Sequence, residues 1–122
     1  MTAPRVLVVE DDAPIARLVA RTAGLEGADV TVVADGLAAR DAWARGSFAL
    51  VLLDAMLPGL DGPSLARERR QAGDGTPVVL LTARQVTEIA ALAADAGIDE
   101  ILAKPFAYDD LVRILRRYLH DA

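Results

Sequence analysis

Short apolar runs alternate along the chain with longer stretches of helical spacing. Val6 to Val9, Ala49 to Leu53 and Val78 to Leu81 are unbroken apolar runs of strand length. None of the three alternates apolar with polar residues, so both faces of each strand are expected to be buried, as in a parallel sheet covered by helices. Val30 to Val33 and the weaker Glu100 to Ala103 read as two further strands. From Ile15 the apolar side recurs at Leu18, Val19, Thr22 and Leu25, which is one face of a helix. Asp12 precedes it as an N-cap, Pro14 sits in its first turn and Gly27 marks its end.

The same punctuation predicts four more helices, over about Leu37–Arg45, Pro63–Ala72, Gln85–Ala96 and Tyr108–Leu119. Gly46 and Gly97 close two of them, and the Pro- and Gly-rich stretch "AMLPGLDGP" is a loop. The expectation is a single α/β domain over 1–122, with five strands alternating with five helices in a doubly wound parallel sheet.

In such a sheet, ligands gather beyond the carboxyl ends of the strands. Glu10 and Asp11 follow the first strand, Asp54 the third, Thr82 the fourth and Lys104 the fifth. The second strand ends in Ala34, which brings no reactive group. Taken singly, Asp54 could start a turn, Thr82 could cap a helix, and Lys104 could be a surface lysine. Asp12 reads as the helix cap rather than as a metal ligand. Their recurrence at successive strand ends is what points to a site. Carboxylates 4 Å apart repel by about 4 kcal/mol per pair at an effective dielectric near 20. Lys104 can offset one charge, and a hard dication bound by oxygen can offset the rest. Mg²⁺ fits, because it accepts a few carboxylates and leaves room for phosphate oxygens.

Composition narrows the chemistry. The net charge of −5 argues against nucleic-acid binding by this domain. The basic cluster Arg67, Arg69 and Arg70 reads as a solvated helix face. With no cysteine and a single histidine, His120 in the tail, neither a thiolate nor a transition-metal cluster nor a Ser-His-Asp triad is expected. No signal peptide or membrane span is apparent, and a cytoplasmic location is expected.

"VLVVEDD", "LVLLDAMLPGLDG", "VVLLTA" and "LAKPF", in that order, resemble the receiver domains of two-component response regulators over essentially the whole chain. The resemblance implies a flavodoxin-like fold with strand order 2-1-3-4-5. It implies that Asp54 accepts a phosphoryl group from a sensor histidine kinase or a histidine phosphotransfer protein. Glu10, Asp11, Asp54 and the carbonyl of Met56 would hold Mg²⁺, Asp11 directly and Glu10 through water. Thr82 and Lys104 would take phosphoryl oxygens, and Pro105 would be a cis proline that aims Lys104. The usual output surface, read by a downstream domain or protein, is the fourth helix, fifth strand and fifth helix.

Three positions depart from the family pattern. Ile101 stands where an aromatic residue commonly swings inward, which predicts a muted switch; the alternative is that Ile101 simply packs the edge of the core. Met56 and Arg84 stand over the phosphoryl position. Met56 cannot orient water with its side chain, so a long-lived phosphoryl state is expected, while Arg84 either contacts the phosphate or faces solvent. Asp99, Glu100 and Asp110 partly match a charged dimerisation pattern of one subfamily. Its basic partner is displaced to Arg113, with Ile114 in its place, and the fourth helix is poor in basic residues, so the sequence leaves the oligomeric state open.

Rival functions fit less well. A phosphorylation-independent interaction module would be marked by loss of an acid, the Thr or the Lys, and none is lost. A flavin carrier needs a phosphate-binding loop where "EDDAP" stands. Many aspartyl phosphatases use a second acid where Met56 stands, so a turnover enzyme is not expected, only self-phosphorylation and slow hydrolysis. The chain ends soon after the fifth helix at "LHDA", which suits a stand-alone receiver or a piece of a longer regulator.

Overall fold

The computed structural model describes residues 2–120; Met1, and Asp121 and Ala122 of the closing "LHDA", lie outside the described residues. Its elements are β1 (Arg5–Val9), α1 (Ala13–Leu25), β2 (Asp29–Val33), α2 (Gly36–Arg45), β3 (Leu50–Asp54), α3 (Gly62–Gln71), β4 (Val78–Thr82), α4 (Val86–Asp95), β5 (Glu100–Ala103) and α5 (Tyr108–His120). The strands form one parallel sheet in the order β2-β1-β3-β4-β5. This is the doubly wound flavodoxin-like arrangement expected from the sequence.

The unbroken apolar runs are buried on both faces. Every residue of β3 and β4 is buried, as is β1 apart from Arg5. Successive side chains point to opposite faces, so each run divides between two cores. Leu7, Val9, Val51, Leu53, Val78 and Leu80 pack with Trp43 of α2, Leu65 of α3 and Ile89 of α4. Val6, Val8, Leu50, Leu52, Val79 and Leu81 pack with Val19 of α1 and with Leu111, Ile114 and Leu115 of α5. Burying one such aliphatic side chain is worth about 1.5–3 kcal/mol before conformational entropy is charged against it. The helices are therefore anchored to β1, β3 and β4 through these buried side chains.

Aspartates start three of the helices. The Ile15, Ala38 and Ser64 amides donate to Oδ1 of Asp12, Asp35 and Asp61 at 3.1, 2.7 and 2.8 Å. Asp12 is thus the cap that its sequence position suggested. Boundaries differ from the sequence reading by a residue or so. β3 and β4 extend to include Asp54 and Thr82, because Asp54 pairs with Leu81 and Thr82 with Ala103.

One expectation is corrected in part. Arg67 does lie on a solvated face, but Arg69 and Arg70 are largely covered. Arg67 pairs with Asp95, Arg69 with Asp74 and Arg70 with Asp99. The rows that look polar on α3 alone face charged partners on neighbouring elements, which spacing within one helix cannot reveal.

Candidate functional site

The register sets the carboxyl ends of the central strands side by side. Val9 lies opposite Leu53, so Glu10 follows β1 at the level of Asp54. Main-chain bonds then fix the ends of the chain segments: Glu10 N–H to Val33 O at 3.1 Å, Ala55 N–H to Leu81 O at 2.9 Å, and Lys104 N–H to Thr82 O at 2.7 Å. The Lys104-Pro105 peptide bond is cis. Glu10, Asp11, Asp54, Met56, Thr82, Arg84 and Lys104 line one cavity of about 490 Å³. All seven were named from the sequence.

Inside it, Glu10 is buried. Its Oε1 lies 2.5 Å from Lys104 Nζ, and its Oε2 accepts the Asp12 N–H at 3.1 Å. Asp54 is also buried. Its Oδ1 accepts the Met56 N–H at 3.2 Å, and its Oδ2 lies 3.5 Å from Lys104 Nζ. Lys104 therefore serves Glu10 first and Asp54 second, a division that the sequence did not reveal. Asp11 is exposed at the rim. One carboxylate oxygen from each of Glu10, Asp11 and Asp54 lies within 4.8 Å of the others.

One ammonium facing three carboxylates leaves two negative charges uncompensated, and the cost falls on Asp54. Burial first, then a hydrogen bond to Glu10 and the charge of Glu10, push its carboxyl from 3.8 up to about 7. The Met56 N–H and Lys104 pull it down, but by less. Without a cation, Asp54 therefore keeps its proton to higher pH than an ordinary carboxyl does. Carboxylate oxygens with no imidazole or thiolate among them suit a hard dication such as Mg²⁺. The donors present fit such an ion.

Thr82 is buried, and its Oγ1 accepts the Arg84 N–H at 3.0 Å. It caps no helix: the N-cap of α4 is Gln85, which makes no side-chain capping bond. Two residues beyond Leu80, Thr82 continues the row of side chains on the α4 side of the sheet. Met56 is 69% exposed and lies at the mouth. The half-buried Ile101 packs against the core that contains Ile89 of α4, which agrees with the reading of it as a core-edge residue. His120 is remote from the cavity, with its Nε2 2.9 Å from Glu26 O.

Gly62 was missed by the sequence reading. A Cβ there would stand 2.3 Å from the Asp54 carbonyl oxygen, and the Gly62 N–H donates to Ala55 O at 3.0 Å. The first turn of α3 thus lies directly on the end of β3. The only trace in the sequence was the Asp61-Gly62-Pro63 step.

Residues 6–116 match the response regulator receiver domain family, and the chain belongs to it. It is 40% identical over 114 residues to the transcriptional regulatory protein YkoG of Bacillus subtilis, covering 93% of this chain and 50% of that protein. It is 37% identical over 115 residues to the response regulator MprA of a Mycobacterium species, covering 94% of this chain and 50% of that protein. The chain spans about half the length of the curated relatives it matches. Among solved structures, the Francisella response regulator 1452 receiver domain superposes with a TM-score of 0.89 at 34% identity, covering 95% of this chain and 96% of that one. The receiver domain of the sensor histidine kinase PA1611 of Pseudomonas aeruginosa, solved with a magnesium ion in its active-site cleft, superposes at 0.86 with 34% identity, covering 98% of this chain and all 100% of that one. The chain is therefore a receiver domain of two-component signalling. Among its described residues, no helix is long and apolar enough to cross a membrane.

Proposed function

We propose that this receiver domain takes a phosphoryl group onto Asp54 from a phosphohistidine, carried by a sensor histidine kinase or a histidine phosphotransfer protein. The observation that carries the reading is a buried strand-end carboxylate that shares one cavity with two acids, a lysine and a threonine. An Asp54 carboxylate oxygen forms a bond to phosphorus while the P–N bond to the imidazole breaks, and the imidazole leaves with the electron pair and takes up a proton. Asp54 must be ionised for this step. Glu10, Asp11, Asp54 and the Met56 carbonyl would hold Mg²⁺, which when bound supplies positive charge that offsets both the acids and the phosphoryl oxygens.

The chain's own groups do the rest. The Met56 N–H orients the Asp54 carboxylate. Lys104, already in the cavity, can turn from Glu10 to a phosphoryl oxygen. Thr82 can donate its hydroxyl hydrogen to another. Met56 stands at the mouth, and its thioether cannot orient an attacking water by hydrogen bonding, so the phosphoryl state is long-lived. The output is read on the α4–β5–α5 face. Ile101 has no ring to turn inward, so the change there is muted.

Incubation with a small phosphodonor and Mg²⁺, followed by intact mass measurement, tests the proposal. One phosphoryl adduct is expected on the wild type, and none on Asp54→Asn or when chelator replaces Mg²⁺. An unmodified wild type, or an adduct that survives Asp54→Asn, would refute it.

A further inference from the structure

The arginines of α3 have a use that the phosphoacceptor site does not absorb. Arg70 donates from Nε and Nη2 to the Gly97 carbonyl at 3.0 and 2.9 Å, from Nη1 to the Asp74 carbonyl at 2.9 Å, and from Nη2 to Asp99 Oδ2 at 3.2 Å. Asp99 Oδ2 also accepts the Val78 N–H at 2.8 Å. One guanidinium thus ties together the α3–β4 loop, the turn that ends α4, and the residue before β5, itself bonded to the first residue of β4. Arg67 adds a pair to Asp95, the last residue of α4. Gly97 has a φ of +75°, and a Cβ there would meet the Arg70 side chain at 2.9 Å. The Arg70 stem therefore lies flat on the turn.

The other end of α4 is held differently. An aspartate caps α1, α2 and α3, whereas α4 has no side-chain cap. Residues 83–88 are all exposed, and the first buried residue of α4 is Ile89. The turn leading into the helix is held by the Arg84 N–H donating to Thr82 Oγ1. That hydroxyl is the one assigned above to a phosphoryl oxygen, so rotating it toward Asp54 weakens its hold on the turn.

We infer that Arg67 and Arg70 make the C-terminal end of α4 a fixed pivot, so that occupation of the Asp54 site swings or loosens the first turn of α4 while its last turn stays in place. Arg67 and Arg70 are positioning residues: from α3 they hold the end of α4 that lies away from the Asp54 site, and they touch none of Glu10, Asp11 and Asp54. The inference rests on the phosphoacceptor reading and names how this chain would transmit that signal.

Amide hydrogen exchange, with and without beryllofluoride and Mg²⁺ as a stable phosphoryl mimic, tests it. In the wild type the mimic should change exchange at residues 84–89 and leave 93–96 unchanged. In the Arg67→Met/Arg70→Met variant, exchange at 93–96 should be about tenfold faster without the mimic, the effect expected on losing one or two charge-assisted hydrogen bonds. The mimic-induced change should then spread along the whole helix. Arg70→Lys, which keeps the charge but not the fork, should lie in between, and it serves if the double variant does not fold. Adduct formation with a small phosphodonor should be unaltered in each variant. A wild-type response uniform along α4, or variants whose pattern matches the wild type, would overturn the pivot while leaving the phosphoacceptor intact. A wild type that forms no adduct would instead overturn the phosphoacceptor reading, and the pivot with it.

Discussion

Asp54→Asn should make the metal-free protein more stable at alkaline pH. The substitution keeps the shape of the side chain and an oxygen for the Met56 N–H, and it removes the charge. Burial and Glu10 together lift the Asp54 carboxyl from 3.8 to about 7. Ionising it in the folded state therefore costs up to ~4 kcal/mol relative to the unfolded chain. For an acid raised in this way, the folded state binds the extra proton between the two values, so stability falls as pH rises from about 4 through about 7. The asparagine does not titrate. Its amide faces Lys104 less well than a carboxylate does, so a net gain of ~1–3 kcal/mol at pH 8 is expected, shrinking toward zero at pH 4.5. Urea unfolding of both proteins in chelator at the two pH values measures this, since the difference between them cancels the titrating groups that lie away from Asp54, Glu10 and Lys104. Mg²⁺ should then stabilise the wild type and leave the variant nearly unchanged. A variant no more stable than the wild type at pH 8, or a gain independent of pH, would refute the reasoning.

Three further outcomes are expected. Gly62→Ala should destabilise by ~1–3 kcal/mol in chemical denaturation and slow phosphoacceptance, because the methyl group meets the Asp54 carbonyl at 2.3 Å; helix propensity alone would predict a gain of ~1 kcal/mol, so the sign decides. Met56→Asn should shorten the lifetime of the phosphoryl adduct by supplying a group that can hold water near phosphorus, and an unchanged decay rate would contradict this. Amide shifts of Ile101 should move little when a phosphoryl mimic binds, and large shifts centred on it would show that the branched side chain switches after all.

The strands and the site were legible in the sequence for one reason. Buried parallel strands must be continuous apolar runs, so the first polar residue after each run marks the rim of the sheet. Glu10, Asp54, Thr82 and Lys104 all announce themselves in this way. What the sequence hid were contacts between elements. Nothing in the spacing of Arg67, Arg69 and Arg70 along α3 shows that Asp95, Asp74 and Asp99 stand opposite them. Similarly, a glycine before a proline reads as a loop signal, and only the docking of α3 onto β3 reveals that Gly62 leaves room for the Asp54 carbonyl. The choice of Lys104 between Glu10 and Asp54 depends on differences of about an ångström that no pattern encodes.

The central claim is that the acids at this rim are held together for a divalent cation and a phosphoryl group. A pH titration of the Asp54 carboxyl carbon by NMR, in chelator and again in Mg²⁺, tests it most directly. In chelator Asp54 should titrate near 7. With Mg²⁺ bound it should stay ionised well below that pH, since cation and proton compete for the same oxygens. An Asp54 that titrates near 4 in chelator and does not respond to Mg²⁺ would contradict the claim.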